Sequence, residues 1–339
     1  MGGVLPPHTG LPRRLLTVAA GAAGFSRPAN LCYIGGVDNR NGIMVNNKPS
    51  ACAELPRPPL AAFLLLFCQQ LAAWEGSVCP AGDVPAAHDD PVLRVATLNI
   101  AHGRGTSLNQ LLIGRDRIAA NLDRAGRLLA GFELDVLALQ ELDASSRWSG
   151  YFDHGERLVA SAGFNCSIKA VHAESWFYRF GTGLLSRARL EDANMRSFEP
   201  TPPTTTKGLV AGTLRWRQGD RGDAVRVVSV HLDFSRKAAR LRQLEAIIAA
   251  IENSPVPLIV MGDFNEDWSS DDSVVRQLVD DAGLVAYRPQ AEDLATYKDK
   301  RLDWILISRD LQFQDYRVIP DPVSDHRLVT AAIQWRAQP

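Results

Sequence analysis

An apolar run from Val256 to Val260 breaks into Met261-Gly262-Asp263-Phe264-Asn265, so a strand ends by presenting a carboxylate beside a carboxamide. Asp263 and Asn265 are two residues apart and share a face of extended chain, while Gly262 lets the backbone turn without a Cβ clash. Such a pair can orient a water and hold an anionic oxygen together, although alone it also fits a polar turn closing a strand. Four further strand ends carry groups of the same kind. Leu93 to Leu98 alternates like a half-buried strand and leads into Asn99, with His102 and Gly103 just beyond. Asp135 to Leu139 ends in Gln140-Glu141, an odd place for an acid unless it binds a cation or caps a helix. Val225 to Val230 delivers His231 and is followed by a helix with Arg240 and Gln243 on one face. Arg301 to Ile307 places Asp303 inside a strand, and Ser324-Asp325-His326 closes a loop before the last strand, Leu328 to Ile333.

Each residue has a bland reading: Asn99 and Asp325 as turn formers, Glu141 as a helix cap, His231 as a satisfied core histidine. Taken together they describe one chemistry. Asn99, Glu141 and Asp325 offer hard oxygen ligands that suit magnesium or manganese. His231, His326 and Asn265 supply donors for a phosphate, and Asp303 is placed to fix the tautomer and steady the charge of His326. The inventory is that of metal-assisted attack of water on a phosphate ester.

The ordered series Thr97-Leu98-Asn99-Ile100, Leu139-Gln140-Glu141, Ser229-Val230-His231-Leu232, Gly262-Asp263-Phe264-Asn265, Arg301-Leu302-Asp303-Trp304 and Ser324-Asp325-His326 resembles the endonuclease/exonuclease/phosphatase superfamily. The resemblance runs from about Val92 to Trp335. It implies an α/β fold of the deoxyribonuclease I-like kind, a four-layer α/β sandwich with two packed β-sheets flanked by helices. It also implies that Glu141 is the principal metal ligand, with Asn99 and Asp325 near the same ion. Asp263 would orient or deprotonate the attacking water, Asn265 and His231 would hold the scissile phosphate, and His326, braced by Asp303, would stabilise the developing charge. Abasic-site members usually carry an aspartate two residues after the first asparagine, where this chain has Ala101, which weakens a DNA-repair reading. Near Thr182 the family usually has an asparagine, which leaves the role of that side chain open.

The elements that must position these groups lie in residues 91–339, long enough for one two-sheet core. Amphipathic helices are predicted over about Arg115 to Ala130, Ser235 to Glu252 and Asp271 to Asp281. Residues 1–90 are rich in Pro, Gly, Ala and Asn without periodicity, and little fixed structure is expected there. An apolar segment at about residues 57–76 suits the core of a secretory signal with a small-residue cleavage site near Ala73, although it lies deep for a start at Met1. Export to the periplasm or outside the cell is the expectation, with a cytoplasmic enzyme as the alternative. Four of the five cysteines precede the catalytic block, so no disulfide framework is implied. Cys79 with Cys166 is the pair to test if the chain is exported.

The formal net charge is −1 and there is no polybasic run, which gives duplex DNA no obvious electrostatic footprint. Arg104, Arg115, Arg117, Arg124 and Arg127 could build a local basic face, but helical arginines are more often a solvated face. Arg147 to His154 brings Trp148, Tyr151, Phe152 and His154 into a loop after Glu141, either lining the substrate cleft or packing as a local cluster. Pro202 to Gly208 puts Lys207 and several hydroxyls before a strand, either to meet an anionic head group or as a rigid solvated loop. Arg240, His154 and Lys207 are thus the candidate substrate-binding residues. The sequence favours a magnesium-dependent phosphodiesterase acting as a monomer on nucleic acid, with a secreted, sphingomyelinase-like or phosphoinositide-directed lipid hydrolase as the alternative. A non-catalytic binding module would be expected to lack one of Glu141, His231, Asp263 or His326, and all are present.

Overall fold

The computed structural model describes residues 76–79, 84–218, 221–270 and 272–337. The expectations for residues 1–75, including the signal-like segment up to Glu75, fall outside them. Two sheets carry the fold. The first has seven strands in the order β1 (Gly76–Val78), β4 (Cys166–Glu174), β5 (Arg179–Ser186), β3 (Val136–Asp143), β2 (Leu93–Asn99), β13 (Leu328–Trp335) and β12 (Leu311–Ile319). The second has six, β10 (Leu284–Ala286), β11 (Asp303–Ser308), β9 (Leu258–Asp263), β8 (Arg221–His231), β7 (Gly208–Gln218) and β6 (Leu190–Ser197). Each sheet has one parallel pair at its centre, β2 with β3 and β8 with β9, and antiparallel neighbours around it.

Strand alternation sorts side chains into layers. Leu93, Val95, Val136 and Ala138 point inward to meet Val210, Val227, Ile259 and Met261 of the other sheet. Ala96, Leu98, Leu137 and Leu139 point outward under α1 (Arg115–Ala130) and α2 (His154–Ala162). Val228, Val230, Val260 and Leu306 do the same under α3 (Lys237–Ile251) and α4 (Val274–Asp281). The result is the four-layer α/β sandwich expected. Helix α1 matches its predicted limits because Ile118, Leu122, Ala125 and Leu129 form one buried stripe. Helix α3 starts later than predicted, since Asp233 Oδ1 accepts from the backbone N–H groups of Ser235 and Arg236 and holds them in a turn. Helix α4 likewise begins at Val274 rather than Asp271.

Two expectations need correction. The folded unit does not begin near residue 91: β1 pairs with β4, and Cys79 is disulfide-bonded to Cys166, 87 residues away. Ala87 is buried, and Trp216 Nε1 donates to the Asp90 carbonyl (2.8 Å), so the chain before Asp90 closes one edge of the inter-sheet core. The predicted loop ending at His154 in fact enters α2, capped by Asp153, whose Oδ1 accepts from Glu156 N (2.8 Å).

Candidate active site

Both parallel pairs end at the same edge of the sandwich, so Asn99, Glu141, His231 and Asp263 arrive together from four strands. At Asp263 the approach is close enough to dictate the preceding residue. Gly262 has φ +150°, and a Cβ there would stand 1.9 Å from the Val230 carbonyl oxygen. Asp263 Oδ2 accepts from Asn99 Nδ2 (3.0 Å) and Asn265 Nδ2 (3.2 Å), and Oδ1 accepts from the backbone N–H of Asn265 (2.9 Å). His231 Nε2 and His326 Nε2 stand 3.5 and 3.8 Å from the same Oδ2. Across the sheet Asp303 pairs in register with Asp263, and its Oδ2 accepts from His326 Nδ1 (2.8 Å).

Burial drives the Asp263 carboxyl upward, His326 opposes and Asp303 adds to the rise, and its pKa reaches about 7. Burial alone would discharge His326, but the Asp303 and Asp263 carboxylates outweigh it and raise its pKa to about 10. His231, buried and near Lys207, is pushed well below the ordinary histidine value and is neutral.

Glu141 reaches the site through a bulge. The β3–β5 register shifts between Gln140 and Leu142, and Glu141 takes φ +50°, which turns its side chain out of the strand alternation. Its Oε2 lies 3.2 Å from His102 Nε2 and 3.5 Å from Arg104 Nη1. Arg104 also pairs with Asp325, while Ser324 Oγ donates to the Asn99 carbonyl (2.7 Å), tying the Asp325 loop to β2. Burial raises the Glu141 carboxyl, yet the charges of His102, Lys207 and Arg104 hold it well below the usual carboxylate range.

Two carboxylates that already share a cation between them offer hard oxygens of the kind a divalent ion takes, and Ser324 ties their loop to the Asn99 carbonyl. A second cluster, Asp263, Asp303 and His326, brings donor atoms within 4.8 Å of one another. There His326 Nδ1 is already committed to Asp303, so that cluster is better suited to holding protons than an ion.

Among the weaker candidates, Lys207 is buried with Glu141, Asp263 and Asp233 as its charged neighbours; burial lowers its pKa and the three carboxylates oppose that. Its loop is anchored, because Thr201 and Thr204 both hold Asp233, while Pro202 and Pro203 stay exposed. Arg240 is held within the fold on two of its nitrogens: its Nε donates to Glu266 (2.6 Å) and its Nη1 to the Asp233 carbonyl (3.0 Å). His154 is fully buried behind Asp143, with Nε2 3.2 Å from the Ser149 carbonyl, so it lines no cleft. Trp148 packs edge-on against His102 and Phe177, and only Tyr151 of that aromatic segment is exposed. Thr182 instead bonds His172 Nε2 (2.8 Å).

The sequence alone did not single out His102 and Arg104 as site residues. His102 has φ +55°, donates from Nδ1 to Asp143 Oδ2 (2.9 Å) and faces Glu141 with Nε2. The signal available was His-Gly-Arg directly after the Asn99 strand end.

No curated protein matches the chain. Solved structures do. An endonuclease/exonuclease/phosphatase family protein from Leptotrichia buccalis superposes with TM-score 0.57 at 18% identity, covering 72% of this chain and 100% of that one. The mannosyl-6-phosphatase Bt3783 of Bacteroides thetaiotaomicron gives 0.54 at 14%, covering 72% and 100%. The human nocturnin catalytic domain with bound sulfate gives 0.53 at 17%, covering 78% and 99%. At such identities these likenesses speak for the fold. The family model for "Endonuclease/Exonuclease/phosphatase family" matches residues 96–326, the span from the strand of Asn99 to His326. The chain therefore belongs to the endonuclease/exonuclease/phosphatase family, whose members hydrolyse phosphate esters.

Proposed function

We propose that the chain is a divalent-metal-dependent phosphodiesterase and that magnesium is its ion. The observation that carries this is the junction at Asp263 Oδ2, where two carboxamides and two imidazoles meet one buried carboxylate oxygen. With its pKa near 7, Asp263 can take a proton from water at neutral pH. Asn99 and Asn265 fix the direction of Oδ2. His326, held cationic by Asp303, would face the charge that builds on the phosphate oxygens, and neutral His231 would donate to one of them. The water oxygen bonds to phosphorus as the bond from phosphorus to the leaving alcohol breaks. Water's proton passes to Asp263, and the alkoxide released from phosphorus takes a proton from solvent water. Glu141, Asp325 and Asn99 would hold the magnesium ion, whose charge offsets that of the phosphate.

A phosphatase and a sulfate-bound catalytic domain among the structural relatives support an oxyanion as the ligand. The test is hydrolysis of bis-p-nitrophenyl phosphate by the full chain with magnesium and with chelator. Asp263→Asn should lose turnover with little change in KM. Near-normal turnover with a lowered melting point would remove Asp263 from the mechanism.

The Cys79–Cys166 disulfide supports export, since such bonds persist in oxidising compartments. Labelling of both cysteines by a thiol reagent in protein taken from its host, without prior reduction, would count against it.

A further inference from the structure

Among the described residues seven large apolar side chains are exposed, and six of them stand on the segments that connect strands at the catalytic end: Leu108, Leu111, Leu112, Tyr151, Trp176 and Phe234. Scattered apolar exposure is ordinary, but concentration around one site is not. The loops form a connected rim. Gln110 Nε2 donates to the Trp148 carbonyl (3.3 Å), and Trp148 N donates to the Phe177 carbonyl (2.9 Å), joining the loop after β2, the loop after β3 and the β4–β5 hairpin. Phe234 stands on the facing loop, just past His231. The tips are almost wholly in solvent: Leu108 is 102% exposed, Leu112 83% and Trp176 84%.

We infer that this rim docks on a lipid bilayer, so that the phosphoester reaching the site is one carried by a membrane lipid; this rests on the phosphoesterase reading above. Two features choose a bilayer over other partners. Arg147 lies 5.8 Å from the Trp176 ring and 5.9 Å from that of Phe177, which sets a cation at the level of lipid phosphates while the ring and leucine tips enter the acyl boundary. Single-stranded nucleic acid would also use arginine and aromatic rings, but three neighbouring leucines have no π face on which a base can stack. Leucine tips beside a tryptophan and an arginine match an interface that is apolar below and phosphate above.

The test uses the full chain and co-sedimentation with vesicles of phosphatidylcholine and sphingomyelin, with and without phosphatidylserine. Trp176→Ser should weaken partition about tenfold, and the triple change L108S/L111S/L112S on the order of 100-fold, each lost tip removing apolar contact with the bilayer. Turnover of soluble bis-p-nitrophenyl phosphate should stay unchanged in both. Because Leu60 to Phe67 is itself apolar, a third variant, L64E/L65E/L66E, must keep its vesicle binding. Rim variants that bind vesicles like the parent overturn the proposal, as does binding that depends on Leu64 to Leu66 alone. So does Trp176-dependent binding of oligothymidylate without vesicle binding, or a dimer that the rim variants dissociate. Loss of soluble turnover by the parent would sink the phosphoesterase reading and leave vesicle partition still readable.

Discussion

Glu141 is the residue on which the metal reading turns, and its charge can be removed while its shape is kept. Glu141→Gln should leave the melting temperature near that of the parent, since His102 and Arg104 can still bond a carboxamide oxygen. Magnesium affinity by calorimetric titration should fall about tenfold or more, and turnover with it. Unchanged metal binding would remove Glu141 from the ligand set. The His326–Asp303 pair invites a different experiment. Each single change, His326→Ala or Asp303→Asn, should cost turnover, the first by roughly 10²-fold. If Asp303 acts through His326, the double mutant should be no worse than His326→Ala. Effects that multiply would show that Asp303 acts by another route. A pH profile adds a signature that a merely structural Asp303 would not move: without its carboxylate, the cation of His326 should be lost at lower pH than in the parent.

At the scale of elements, strand ends were legible because an apolar run that stops at a polar group is visible in one dimension. Asn99, His231 and Asp263 were found that way, and α1 by its stripe of Ile118, Leu122, Ala125 and Leu129. What stayed hidden was whatever breaks the period. Glu141 was flagged for its type, but nothing showed that a bulge turns it into the site. The same device recurs in β4, whose register against β5 shifts between Val171 and Ala173 and leaves His172 unpaired in the ladder. His172 then meets Thr182 of β5 (2.8 Å) and Ser197 of β6 (2.9 Å), in space that Gly208 leaves open, since a Cβ there would lie 2.3 Å from the ring. Burial, with Lys207 adding, depresses the His172 pKa to about 3. The sign follows from linkage: the unfolded chain takes a proton at about pH 6.5, the folded one only near 3, so stability is full above 6.5 and is lost as pH falls. His326 runs the other way, contributing below its unfolded value and losing that contribution as pH rises through about 10. Urea denaturation of His172→Gln should therefore show a shallower fall in stability between pH 6 and 4 than the parent, by about 1.4 kcal/mol per pH unit. Parallel curves for the two proteins would mean that His172 is not the group that excludes the proton.

For the whole molecule the open question in the sequence was where the folded unit begins, because composition changes near Asp90 while the contacts do not. Short segments such as Gly76–Val78 have no periodicity to read, and what fastens the start of the folded unit lies far away in sequence: β4 and Cys166 for β1 and Cys79, and Trp216 for Asp90. A chain starting at Asp90 would lose β1, the Cys79–Cys166 bond and the bridge between His88 and Trp216. None of these groups touches Asp263, Glu141 or His326, so turnover at 25 °C should be retained. Stability should not be. A cross-link closing a loop of 87 residues contributes roughly 4 kcal/mol in the chain-entropy model, and for a domain of this size that corresponds to about 10 °C in Tm. Cys79→Ser in the full chain isolates the cross-link from the strand: it should show most of that loss, and the truncated chain should melt lower still. Reducing agent should lower the Tm of the parent and leave that of Cys79→Ser unmoved. A truncated chain that melts with the parent would place the start of the folded unit at Asp90 after all, and a truncated chain that is stable but inactive would show that the upstream segment forms part of the site.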